Sequence, residues 1–173
     1  MVKLGRFLWV FFLFFAVQIG FADTPAATQF NFEKDGEVLK KVALTSLYAN
    51  KTLETLEVLE PQEKKLVSFK GVPMQDVLVA GFGDSWTQAT AIGFICADGY
   101  RATVPVKKFE KAKALLAVER VGQAFTVVKE GKTVALAPYY LIWDNKANEA
   151  IKSAGAGIWP YQVLGLELIS AKK

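Results

Sequence analysis

The sequence predicts an α+β fold, mostly β mixed sheets with a few short helices. Short runs alternating apolar and polar residues recur along the chain, punctuated by turn pairs at Asp35-Gly36, Asp98-Gly99 and Glu130-Gly131. Only two stretches carry helical spacing, and both are brief. No repeat, low-complexity block or long linker interrupts residues 30–173, which the sequence therefore predicts to form a single domain.

Taken in order, "FNFEKDGEVLKKVAL" alternates at Phe30 and Phe32, turns at Asp35-Gly36 and resumes at Val38, Val42 and Leu44, the pattern of a hairpin. Thr45 is placed to cap a single helical turn in "TSLYAN". "KTLETLEVLE" repeats apolar residues with a period near two (Leu53, Leu56, Val58), which predicts a half-buried strand stopped by Pro61. A short strand over residues 66–69 then runs into a turn at Gly71. "PMQDVLVAGFG" is the clearest helix, with Pro73 in its first turn, an apolar stripe of Met74, Val77, Leu78 and Val79, and Gly81 and Gly83 ending it.

"WTQATAIGFICADGYRATVPV" is a long hairpin whose first arm, residues 89–97, is almost wholly apolar and so belongs at the centre of a covered sheet. "KKFEKAKAL" is a short basic helix. "LLAVERVGQAFTVV" holds two strands around Gly122, and "KEGKTVALAPYYLIW" turns at Glu130-Gly131 into an apolar strand. "DNKANEAIKSAGAGIWP" is small and polar, a connection with room for one helical turn, and "YQVLGLELISA" alternates again to close the sheet.

Residues 1–22 have the three parts of a secretory signal peptide: Lys3 and Arg6, an apolar core over residues 7–17, and the small Gly20 and Ala22 before a cut at Asp23. An uncleaved anchor is the alternative, but the apolar stretch falls short of the ~20 residues that span a bilayer comfortably. Residues 23–29 then form a flexible leader, and the mature protein is periplasmic or secreted, with no membrane attachment after cleavage. A domain of roughly 150 residues buries about 70% of its unfolded surface and needs no staple. The 21 Lys and Arg against 17 Asp and Glu give +4, which falls to +2 without Lys3 and Arg6. That balance, with scattered lysines, excludes a nucleic-acid footprint.

The chain has no histidine, so neither a Ser-His-Asp nor a Cys-His centre can be built. Glu54 with Glu57, and Glu57 with Glu63, are carboxylate pairs among lysines and read as a solvated face. "SAGAGIWP" neither follows a strand nor opens a helix, so it reads as a tight loop rather than a phosphate cradle. Cys96, the lone cysteine, lies among Phe94, Ile95 and Ala97 and reads as a small buried hydrophobe, with no catalytic or metal role. Tyr139, Leu141 and Trp143 share one strand face, with Tyr140 and Ile142 on the other, so at least one ring is expected at a surface or groove. The candidate ligand- or partner-binding residues are Tyr100, Arg101, Tyr140, Trp143, Trp159 and Tyr161.

The segments "FKGVPMQDVL", "ADGYRATVP", "ALLAVERVGQAF" and "WPYQVLGLELI", in this order, resemble the molybdopterin-binding domain of the sulfite oxidase family, over nearly all of residues 30–170. The resemblance implies a sulfite oxidase molybdopterin-domain-like fold, export in bacteria, a molybdopterin cofactor on a cysteine thiolate, and a redox partner such as a c-type cytochrome. The departures are specific. "LETLEVLEPQEKKLVSF", where the family's cysteine ligand falls, contains none. "VALAPYYLIWD" lacks the arginine expected beside the cofactor, and only Arg101 and Arg120 remain in the mature chain. Two function classes remain. One is an exported, non-catalytic module on that scaffold, holding no cofactor and binding a partner protein or small ligand in a periplasmic redox system. The other is an active molybdopterin-dependent oxidoreductase with an unusual metal site, for which Cys96 is the sole candidate ligand.

Overall fold

The computed structural model describes residues 28–146 and 148–171. The expected signal peptide, residues 1–22, lies outside the described residues, as does most of the leader. The leader's last residue, Gln29, already belongs to a strand.

Strands β1 (Gln29–Lys34) and β2 (Glu37–Ala43) form the first hairpin, and Asp35 and Gly36 take the positive φ values, 48° and 89°, that its two-residue turn requires. A 3₁₀ turn, Leu44–Leu47, follows, entered from Ala43. Thr45 does not cap it from outside; its carbonyl, inside the turn, accepts from the Tyr48 and Ala49 amides. Strand β3 (Glu54–Glu60) pairs antiparallel with β4 (Lys65–Pro73), which leads directly into helix α1 (Met74–Phe82). After a 3₁₀ turn (Gly83–Gln88) come β5 (Ala91–Cys96), β6 (Arg101–Pro105), α2 (Val106–Lys111) and β7 (Ala114–Arg120). The small hairpin β8 (Thr126–Lys129) and β9 (Lys132–Ala135) precedes β10 (Tyr140–Trp143). Helix α3 (Glu149–Lys152), a 3₁₀ turn (Ala156–Ile158) and β11 (Val163–Ile169) complete the order.

The strands make three sheets: β2-β1-β11-β5-β6, β10-β7-β4-β3, and β8-β9. The α+β expectation on a sulfite oxidase-like plan is therefore corrected to a β-rich fold. Eleven strands carry it among the described residues, against three helices of nine, six and four residues. Gly71 shows the physical reason at one of the segments that carried the resemblance. "FKGVP" is not a turn but the continuation of β4, bulged against β7. Its glycine is required there because a Cβ would lie 2.5 Å from the Leu116 carbonyl oxygen.

Other expectations shift in detail. Pro73 ends β4 with extended backbone (ψ 128°) and stands before the first turn of α1, not in it. Gly81 does not end α1; it lies within the helix because the Phe32 ring occupies the space a side chain would need, 2.1 Å from a Cβ. The C-terminal stop is Gly83, at φ 58°. Val79 is exposed rather than part of the buried stripe. The apolar arm of the long hairpin, β5, lies inside its sheet but beside edge strand β6; the middle strand is β11, parallel to β1 and antiparallel to β5.

The two large sheets share one contiguous apolar core. Phe30 meets Tyr139 edge-on at 5.5 Å between ring centroids, and Phe109 bridges Phe94 and Trp143 at 6.2 and 4.8 Å. Each fully buried Phe contributes about 1.5–3 kcal/mol of transfer free energy. Among the described residues, no helix is long and apolar enough to cross a membrane.

Candidate functional site

At one end of the β5–β6 hairpin the chain turns through residues 97–100. Gly99 supplies the positive φ (82°), and Asp98 Oδ1 accepts the Tyr100 amide at 2.9 Å. This turn faces the segment running from the Ala156–Ile158 3₁₀ turn through Trp159, Pro160 and Tyr161. Between them lies a partly open cavity of about 300 Å³, also lined by Cys96, Gln62 and Lys129. A second cavity, of about 290 Å³, lies on the far side of Trp159 and shares Ala156 and Trp159 with the first.

Strand β10 positions the groove's second wall. Its backbone donates from Leu141 to the Pro160 carbonyl at 3.0 Å, and Tyr139 accepts from the Val163 amide at 3.0 Å. The buried Trp143 indole donates to the Ile158 carbonyl at 2.8 Å. The two walls are joined by the Ala97 amide donating to the Gln162 carbonyl at 2.9 Å. A loop of small residues is thereby attached to a strand of the core, which preorganises the cavity.

Of the residues expected to contact a ligand, Tyr100, Trp159 and Tyr161 come together here, joined by Cys96. Tyr100 is 53% exposed, while only an edge of Trp159 reaches the surface. Tyr140 and Trp143 are corrected: both are buried, as is Tyr139, so no ring of β10 lies at a surface. Aromatic residues on both faces of β10 reflect a strand covered on both sides. Arg101 also stands apart from the cavity. It reaches across β5 to pair with Glu167 of β11 at 2.9 Å and Glu33 of β1 at 3.7 Å.

Sequence reasoning missed Lys129, Gln62 and Gly157. Lys129 reaches the groove from β8 and stands over the Tyr161 ring, 5.9 Å from its centroid. Gly157, in the segment read as a tight loop, has open space where a Cβ would be, with no atom within 4 Å. Also missed was the buried polar cluster behind the Gln62 turn. Glu60 is fully buried; its Oε1 accepts from the Tyr140 hydroxyl at 2.8 Å and its Oε2 from the Gln62 and Glu63 amides at 2.7 and 2.6 Å. Glu63 takes both Nη atoms of buried Arg120. Of the expected solvated carboxylates, Glu54 and Glu57 are paired with Lys113 and Lys146 at the surface, whereas Glu63 is buried. One signal for Glu60 was present: it falls in phase with Leu56 and Val58 on the inward face of β3.

The electrostatics of the groove are mild. Burial, and then Asp98, push the Cys96 thiol up to about 11, so it is protonated at neutral pH. Burial pushes the Tyr140 hydroxyl well above its usual range, and the Glu60 carboxylate facing it adds to the shift. The lining has one cation, Lys129, and one carboxylate, Asp98. This donor set does not fit the molybdopterin that the resemblance implies. The sole sulfur is disfavoured as a thiolate by burial and then by Asp98, and the one nearby guanidinium, Arg101, is committed to Glu33 and Glu167. A larger concavity of about 380 Å³ beside α2 is lined by Met74, Phe109 and Lys113, with Lys113 paired to Glu54. None of the expected site residues reaches it.

No protein-family model and no curated protein matches the chain.

Proposed function

We propose that the protein is an exported, non-catalytic binding module that holds a small ligand in the groove between the β5–β6 turn and residues 156–162. One observation carries this reading. Tyr100, Trp159 and Tyr161, singled out as recognition residues, line a single cavity with Cys96, although residues 96–100 and 159–161 are two segments far apart in the chain. Aromatic walls with a few polar groups are the usual make-up of a small-molecule site, and about 300 Å³ is at the lower end of such sites. The volume favours a small ligand over a haem protein as occupant; a protein partner needs a far broader contact.

Absence of catalysis is supported by the side chains themselves. The chain has no histidine, and the one thiol in the groove is held protonated by burial. Export is supported by Lys3 and Arg6, the apolar core after them, and the small residues before Asp23.

The test is a ligand-observed NMR screen of a fragment library against the wild-type protein and Gly157→Leu. Gly157 lines the cavity, its φ lies outside the left-handed region and its Cβ position is open, so a leucine adds bulk at the cavity wall without displacing the fold. Aromatic fragments that bind wild type and are lost in Gly157→Leu support the reading. Fragments that bind both proteins equally, or an absence of hits, count against it.

A further inference from the structure

Resting on that reading, we infer that the groove selects an anionic aromatic ligand: a flat ring bearing one carboxylate-like group, with Lys129 as the anion's partner. The charge on Lys129 is available. Among the described residues no carboxylate lies within ion-pair distance of it, whereas Glu63 holds Lys65 and Glu149 holds Lys152. Its ammonium stands over the Tyr161 ring instead, a weak contact at an exposed site. A hydrogen bond to a charged group is the stronger interaction. An anion entering the groove therefore offers Lys129 a better partner, while the lysine remains against Tyr161.

The remaining lining selects for the ring. Tyr100, Tyr161 and Pro160 present flat apolar surface, Trp159 adds an edge, and Gly157 leaves room for a ring to approach the backbone. Asp98, the other charged group, spends Oδ1 on the Tyr100 amide and keeps an oxygen to accept from a ligand N–H or O–H. An aromatic acid with a hydrogen-bond donor on its ring gives both charged groups of the lining, Lys129 and Asp98, a partner. An aromatic amine would find Asp98 but leave Lys129 facing a like charge, whereas the acid engages Lys129 and its ring donor meets Asp98.

Three probes of one shape separate these terms: indole-3-acetate, tryptophol and tryptamine, titrated calorimetrically into wild type, Lys129→Met, Lys129→Arg and Gly157→Leu. The acid should bind wild type at least tenfold more tightly than tryptophol, with tryptamine weakest. Lys129→Met should erase the acid-over-alcohol ratio, Lys129→Arg should retain it, and Gly157→Leu should lose all three. Equal affinity for acid and alcohol, or an acid preference that survives Lys129→Met, overturns the inference. If the alcohol is still lost in Gly157→Leu, the groove itself stands as the site. Failure of all three probes on wild type also overturns the inference, and the fragment screen then decides separately whether the groove binds anything.

Discussion

Arg120 and Glu63 form a two-pronged ion pair inside the protein, Nη1 to Oε1 at 3.0 Å and Nη2 to Oε2 at 2.8 Å, with side chains 3% and 5% exposed. The pair joins the β3–β4 turn to β7, and Glu63 also accepts the Val128 amide of β8, so it fixes the hairpin that carries Lys129. Removing one partner leaves the other charged and buried. Glu63→Leu alone, which strands the buried Arg120 charge, should cost about 3–5 kcal/mol, Arg120→Met less because Lys65 still pairs with Glu63, and the double variant less than Glu63→Leu alone. Urea denaturation of the three variants checks this; additive losses would refute the coupling.

The same pair gives stability a dependence on acid. Hydrogen bonding from Arg120 is the main reason that the Glu63 carboxyl falls from 4.5 to about 2. Its folded pKa is depressed, so its contribution is complete above about pH 4.5 and is lost as pH falls toward 2. Wild type should lose stability across that window, and the Glu63→Leu/Arg120→Met double variant should show a shallower loss. Identical acid limbs in the two proteins would contradict the assignment.

Tyr140 holds Glu60 from the other side of the turn. Tyr140→Phe should cost about 1–3 kcal/mol, because Oε1 of a fully buried carboxylate loses its donor while Oε2 keeps its two amides. A denaturation midpoint within error of wild type would show that another donor reaches Oε1.

Cys96 touches the groove yet is only 5% exposed, and burial raises its thiol to about 11. Cys96→Ala should cost about 1 kcal/mol of packing, and Cys96→Ser more, since the hydroxyl meets few partners. Thiol reagents should label the folded protein slowly at pH 7, faster as pH rises toward 11, and completely after unfolding. Rapid labelling at neutral pH, with both variants as stable as wild type, would reject a packing role.

The proposed export predicts a mature chain that begins at Asp23. Intact-mass measurement of protein recovered from the periplasm reads this directly, and retention of residues 1–22 would refute it.

Local chemistry made much of the β architecture legible before any coordinates. The Phe30 and Phe32 alternation before Asp35-Gly36, and the apolar arm before Asp98-Gly99, both became hairpins because the turn residues and the period agree. Gly71 misled because a glycine that admits a neighbouring strand looks, in sequence, like one that makes a turn. Tyr140 and Trp143 misled for a different reason. Alternation assigns faces, but only tertiary packing decides whether both faces are covered. For the site, Tyr100, Trp159 and Tyr161 were legible as aromatic residues beside turn or loop segments. Lys129 was not, since nothing local to the β8–β9 hairpin indicates that its side chain ends over Tyr161.

The proposed ligand recognition between the β5–β6 turn and the segment around Trp159 is read residue by residue by backbone amide mapping in heteronuclear NMR, during titration with indole-3-acetate. Amides of residues 96–101, Lys129, residues 156–159, Tyr161 and Gln162 should shift together and saturate with one affinity. Shifts centred instead on the Met74, Phe109 and Lys113 concavity would contradict it, as would saturable binding that leaves residues 96–101 and 156–162 unmoved.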